Sequence, residues 1–143
     1  MNTNISDLLK NDNITELVDL AEKKAKIFRD DKLKTNQIRN FYSAIAQMRI
    51  RFQEAKSKDL KGDTGYIAIQ TDLAMLKPKL AYAAGRQFAV KKNFYDFMVD
   101  AIKAVEGAEN KDKVMNNYFL LIESVVGYHK FYMLRKHYCM WTK

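Results

Sequence analysis

Lys79, Tyr82 and Arg86 stand at i, i+3 and i+7 in the stretch Leu76-Lys77-Pro78-Lys79-Leu80-Ala81-Tyr82-Ala83-Ala84-Gly85-Arg86. On a helix that spacing stacks two cations and one aromatic ring on a single face. Ammonium and guanidinium groups contact phosphate oxygens, and a tyrosine can stack or hydrogen-bond to a sugar. Such a face suits a phosphate backbone better than a core. Pro78 has a fixed φ and no N–H, so it is predicted to open this helix at its first position. Lys91 and Lys92 add charge one turn further on.

A second basic stripe reads Arg39, Tyr42, Ala46, Arg49, Gln53, Lys56, with steps of 3 and 4. Arg51 points elsewhere, and Ile50 falls opposite the apolar stripe of the same helix, where it suggests a partner surface. Residues 34–58 contain one acid, Glu54, so few local partners are available to these cations. Two basic faces in one segment predict a groove between helices. The plainer reading is a solvated helix face with its arginines paired and Tyr82 half-buried.

Other chemistry finds little support. His129, His137 and Cys139 lack metal spacing. The two histidines are over two turns apart, and Cys139 lies about 160° round a helix from His137. Asp30/Asp31 fall in a polar break and Asp96/Asp100 on a mixed face, whereas acid–base catalysis wants carboxylates in an apolar cleft. Gly62-Asp63-Thr64-Gly65 lacks the Gly-Lys-Ser/Thr of a phosphate loop. No catalytic residue, metal ligand or cofactor is expected.

The elements that must carry the two stripes are helices. Five Gly and one Pro among 143 residues are sparse punctuation for a sheet protein, and 48% hydrophobic residues suffice for a core. Helices are predicted over 14–30, 35–58, 66–76, 78–105 and 111–139, with a possible short turn at 5–9. Asn13 and Thr35 are the expected N-caps. Inner stripes read Leu17, Leu20, Ala21, Lys24, Ile27, Phe28; Ile38, Phe41, Ile45, Met48, Phe52, Ala55; Ile69, Leu73, Leu76; Phe94, Phe97, Met98, Ala101, Ile102, Val105; and Val114, Tyr118, Leu121, Ile122, Val125, Tyr132. The expectation is all-α: one domain over 1–143, a compact antiparallel bundle of about five helices.

Charge is unevenly spread. Residues 34–92 hold twelve basic and four acidic side chains, a local excess of +8 that equals the whole net charge. A patch of one sign attracts polyanions. The single cysteine fits a reducing cytoplasm, and neither a signal peptide nor an apolar run of membrane-spanning length is visible. The C-terminal Arg135-Lys136-His137-Tyr138-Cys139-Met140-Trp141 reads as a basic aromatic tail that docks on the bundle or a neighbour.

The block Lys34-Thr35-Asn36-Gln37-Ile38-Arg39-Asn40-Phe41-Tyr42, followed by the Leu76–Arg86 block above, resembles one family: the small subunit of the type III-A CRISPR–Cas effector (Csm) complex. The likeness in motif order, length and helical character spans most of the chain. It implies a non-catalytic helical subunit, several copies of which pack along a filament of backbone subunits. There they would line the channel where target RNA pairs with guide RNA, touching both without reading sequence. Thr35, Arg39, Lys79, Tyr82 and Arg86 carry over from the resemblance, whereas Arg49, Lys56, Lys91 and Lys92 rest on helix geometry. An assembly module whose basic face meets acidic protein surfaces is the alternative. A small nuclease is a third class that no motif recommends.

Overall fold

The computed structural model describes residues 4–11, 13–86 and 92–137. These form six helices: α1 (Ile5–Lys10), α2 (Ile14–Asp30), α3 (Thr35–Lys58), α4 (Thr64–Gly85), α5 (Lys92–Glu106) and α6 (Lys111–His137). No strand occurs among the described residues, so the fold is all-α, with six helices in place of about five. α6 touches each of the other five; its longest contact is with α2, and α3 lies mainly against α4. The buried side chains of all six helices form one contiguous cluster.

The expected stripes supply most of that cluster. Every stripe residue named on α5 and α6 is buried. On α2, however, Ile27 is exposed and Ala25 takes the inward place. Lys24 is half-buried with its ammonium 6.0 Å from the Phe97 ring centre, so its stem continues the apolar surface. Phe28 meets Phe94 and Phe97 edge-on at 5.3 and 5.5 Å between ring centres.

Two boundaries differ from expectation. Asn13 caps α2 by accepting from the Glu16 N–H, but the N-cap of α3 is Lys34, not Thr35. Thr35 is the first helical residue, and the Gln37 side chain accepts from the Lys34 N–H at 3.1 Å. More consequentially, Pro78 does not open a helix but lies inside α4. Tyr66, Ile69, Leu73, Leu76 and Leu80 are all buried at alternating spacings of 3 and 4 that run through the proline. An interior proline costs about 3 kcal/mol. Burying Leu76 and Leu80 on either side of it, at roughly 1.5–3 kcal/mol each, offsets that cost. The helix ends instead at Gly85, with Arg86 extended at φ −95°, ψ 102°. Residues 87–91 of the expected 78–105 helix lie outside the described residues, as do 138 and 139 at the end of the last one.

Three polar connections fix the helix ends. α2 closes without glycine: Lys32 takes φ +65°, the Leu33 N–H donates to the Phe28 carbonyl and the Lys32 N–H to that of Arg29. His129, fully buried on α6, pins this turn by donating from Nε2 to the Leu33 carbonyl at 2.8 Å. Its Nδ1 is buried without a partner. Asn117 on α6 donates to the Leu9 and Asn11 carbonyls at the end of α1. The third connection is an exchange of caps. Asp112 of α6 accepts the Gly65 and Tyr66 N–H groups at the start of α4, at 3.2 and 2.7 Å. Asp63, preceding α4, accepts the Asp112 N–H at 3.1 Å.

Two outcomes follow. Asp112→Ala orphans both α4 amides and is expected to lower unfolding stability by roughly 2–4 kcal/mol in urea melts; an unchanged midpoint would remove the exchange of caps from the account. Burial holds the His129 pKa below the ordinary imidazole value, against the smaller opposing pull of the Leu33 carbonyl. Only the unfolded chain then takes the proton as pH falls. The His129 contribution is complete above about pH 6.5 and declines below it, by at most about 1.4 kcal/mol per pH unit. Urea midpoints at pH 7.5 and 5.5 should therefore converge in His129→Gln relative to the parent.

Candidate nucleic-acid interface

The α3 stripe does not face α4. Arg49 pairs with Glu123 of α6 at 3.2 Å, its guanidinium 5.8 Å from the Phe119 ring centre. Lys56 reaches the buried Asp112 carboxylate of α6 at 2.9 Å and donates to the Leu60 carbonyl at 3.1 Å. Arg51, a single position along from Ile50, is the residue that turns to α4, where it pairs with Asp72. The acids missing from residues 34–58 arrive from elsewhere in the chain. Arg49 and Lys56 are thus tied into the bundle, and the two basic stripes do not line one groove between α3 and α4.

Other expected residues are free. Arg39 on α3, Lys79 on α4 and Arg86 at the α4 C-cap are exposed, and their side chains have no hydrogen bond or ion pair among the described residues. Tyr82 is 69% exposed, so it is not a half-buried packing residue. Lys79 and Tyr82 share a turn of α4, and Arg86 follows one turn later. A cation at a helix C-terminus also meets the negative end of the helix dipole, an attraction that suits Arg86 to that position. Thr35 is half-buried at the first turn of α3. Lys92 opens α5 with its ammonium 3.5 Å from Asp96, both reaching solvent. Lys91 lies outside the described residues.

Sequence reasoning passed over Lys34. Its side chain is exposed and unpaired among the described residues, just before the first turn of α3 and five residues ahead of Arg39. The signal was present, since Lys34 opens the block that carries the family likeness. Among the described residues no group of three or more His, Cys, Asp or Glu is placed to hold a metal ion. Of the basic aromatic tail, Arg135, Lys136 and His137 continue α6, and residues 138–141, Cys139 among them, lie outside the described residues. No helix among the described residues is long and apolar enough to cross a membrane.

The family model for Csm2 of type III-A systems matches residues 11–135. A CRISPR system Cms protein Csm2 from Streptococcus thermophilus is 28% identical over 121 residues, covering 80% of this chain and 89% of that protein. A protein of the same description from Enterococcus italicus is 28% identical over 102 residues, covering 71% of this chain and 69% of its own length. No solved structure gives a significant match.

The two kinds of cation should separate by stability. Lys56→Met leaves the buried Asp112 carboxylate without its counter-charge and is expected to cost about 2 kcal/mol. Arg49→Ala removes a partly solvated pair, at about 1 kcal/mol or less. Arg39→Ala and Lys79→Ala should stay within roughly 0.5 kcal/mol of the parent. Urea melts of the four variants check this ordering, and equal losses at all four sites would contradict the division.

Proposed function

The chain belongs to the Csm2 type III-A family, small subunits of the type III-A CRISPR Csm complex, and from that premise we propose that it holds the backbones of guide RNA and target RNA without sequence preference, lining the target channel in antiviral defence. In this reading it is a non-catalytic, cytoplasmic, single-domain subunit that packs beside other Csm subunits and further copies of itself.

One observation carries the reading. Arg39, Lys79 and Arg86 are exposed cations without a carboxylate against them among the described residues, on or at the end of the two helices of the most basic segment. Lys34, Lys92 and Tyr82 border them, and Thr35 and Lys91 belong to the proposed contact set. Arg49 and Lys56 contribute at most the residual field of paired charges. The reading takes the helices as a compact antiparallel bundle, which the short 59–63 connection between α3 and α4 favours. The start of α3 and the end of α4 then share one end of the molecule, bringing Lys34, Arg39 and Arg86 to the same region.

The physics suits such a task. Where base pairing to a guide supplies specificity, a protein needs only to hold backbone. An RNA helix hides its major groove from side chains, so phosphate and 2′-hydroxyl contacts dominate. Exposed cations on rigid helices meet that need, and no reacting group is required.

Fluorescence anisotropy of the purified chain with labelled single- and double-stranded RNA, over a salt series, tests the proposal beside Arg39→Glu/Lys79→Glu/Arg86→Glu. Sequence-blind affinity is expected, with the slope of log K against log salt reduced by about 0.7–0.9 for each phosphate interaction removed, about 2 to 3 for the triple variant. A triple variant that leaves target-RNA binding by the assembled complex unchanged would falsify the assignment. The competing reading, a basic face that meets acidic protein surfaces, would be favoured if the triple variant fails to co-purify with partner subunits in the absence of RNA.

A further inference from the structure

α4 is apolar on two opposite sides. Its inner side holds Tyr66, Ile69, Leu73, Leu76 and Leu80 against the core. Its outer side carries Ile67, Thr71, Met75, Pro78 and Tyr82, at spacings of 4, 4, 3 and 4, which keeps them on one face. Ile67 is 67% exposed, Met75 50% and Tyr82 69%; Thr71 and Pro78 are exposed too. A helix that is hydrophobic all round is normally buried all round. Here α3, α5 and α6 cover only one side of it.

The charges beside the stripe say what covers the other side. Asp72 is paired with Arg51, and Lys77 donates to Glu106 at 2.7 Å. The aliphatic length from Ile67 to Pro78 is therefore bordered by neutralised pairs. It offers a phosphate no free cation and a base no ring. Within α4 the unpaired cation among the described residues is Lys79, with Arg86 following at the C-cap, while Lys58 and Lys61 precede the helix. Size bears on the occupant as well. From Ile67 to Pro78 the stripe is about 16 Å long and about 10 Å wide, roughly 160 Å², well below the about 800 Å² that each partner buries in a stable pair. It is too small to hold two free copies together. It suits one contact among several in an assembly.

We propose that the outer stripe of α4 from Ile67 to Pro78 docks on an uncharged, apolar surface of a different, neighbouring subunit of the Csm complex, with the RNA-facing cations starting where that contact ends. This rests on the family membership, but not on the RNA contacts proposed above. α4 would then have two working stretches in series, protein along Ile67–Met75 and RNA from Lys79 onward.

The test is reconstitution of the Csm complex with Ile67→Asp/Met75→Asp, and with the uncharged pair Ile67→Ser/Met75→Ser in case the aspartates disturb the helix. Both positions are exposed, so the circular dichroism of the free chain should not change. Incorporation should fall at least about tenfold, while RNA anisotropy of the free chain stays at the parent value. The Arg39/Lys79/Arg86 triple should show the reverse pattern, so failure of this proposal and failure of the RNA reading are distinguishable. Full incorporation of the serine pair overturns the docking assignment. So does weakened RNA binding by a folded double variant, which would put the stripe in the RNA face. Parent chain that sediments as a dimer, and a double variant that does not, would give the stripe to a second copy instead.

Discussion

The Asp112 carboxylate is the interaction on which the arrangement of helices depends. It is 4% exposed and meets groups from three helices: its own position on α6, two backbone amides at the start of α4, and the Lys56 ammonium of α3. A carboxylate can be buried only where its oxygens are hydrogen-bonded and its charge is matched, and both conditions are met here. The same interaction sets the rotation of α4 about its axis. With the Gly65 and Tyr66 amides held, Tyr66 turns inward and Ile67 outward, and the rest of the helix follows. Gly65 is required at that point, since a Cβ there would lie 2.5 Å from the Phe52 ring. A larger residue would push α4 off α3 and carry Lys79, Tyr82 and Arg86 with it.

Seen this way, the basic excess of the middle segment is divided between two tasks. Arg49, Arg51, Lys56 and Lys77 each meet an acid brought by another helix, and their fields are largely cancelled at short range. Arg39, Lys79 and Arg86 have no such partner among the described residues, and their potential reaches into solvent over about a Debye length. Net charge alone does not distinguish the two groups. The fold does, because it decides which side of each helix faces a neighbour.

The apolar stripes of α3, α5 and α6 were legible in the sequence because helical periodicity is a local property. The ends of the helices were less so. Thr35 has a good capping side chain, but the chain caps one residue earlier through Gln37, and residue type alone does not distinguish the two. Proline is a strong local signal for a helix start, and Pro78 carries that signal. The alternation Tyr66, Ile69, Leu73, Leu76, Leu80 ran through it unbroken, and that longer-range pattern won. At the candidate interface, the exposure of Lys79, Tyr82 and Arg86 followed from their spacing. The pairing of Arg49 and Lys56 did not, because Glu123 and Asp112 lie far along the chain. Ile27 fell on the predicted inner arc, yet the approach of α6 and α5 left it at the rim.

Pro78 has a consequence for how α4 is held to the core. With no N–H at position 78, the Ala74 carbonyl lacks its helical donor, and the hydrogen-bond ladder has a gap. On one side is a stretch anchored by Asp112 and by the Arg51 and Lys77 ion pairs. On the other, residues 79–85 are held chiefly by Leu80 and the half-buried Ala83 and Ala84. A helix interrupted in this way is anchored unequally on its two sides. The roughly two turns from Lys79 to Gly85 are therefore held to the core by fewer contacts than the stretch before Pro78. Lys79 and Tyr82 stand on that less anchored stretch and Arg86 just past it, so the surface proposed to meet a long, irregular polymer is also the part of α4 that the core restrains least.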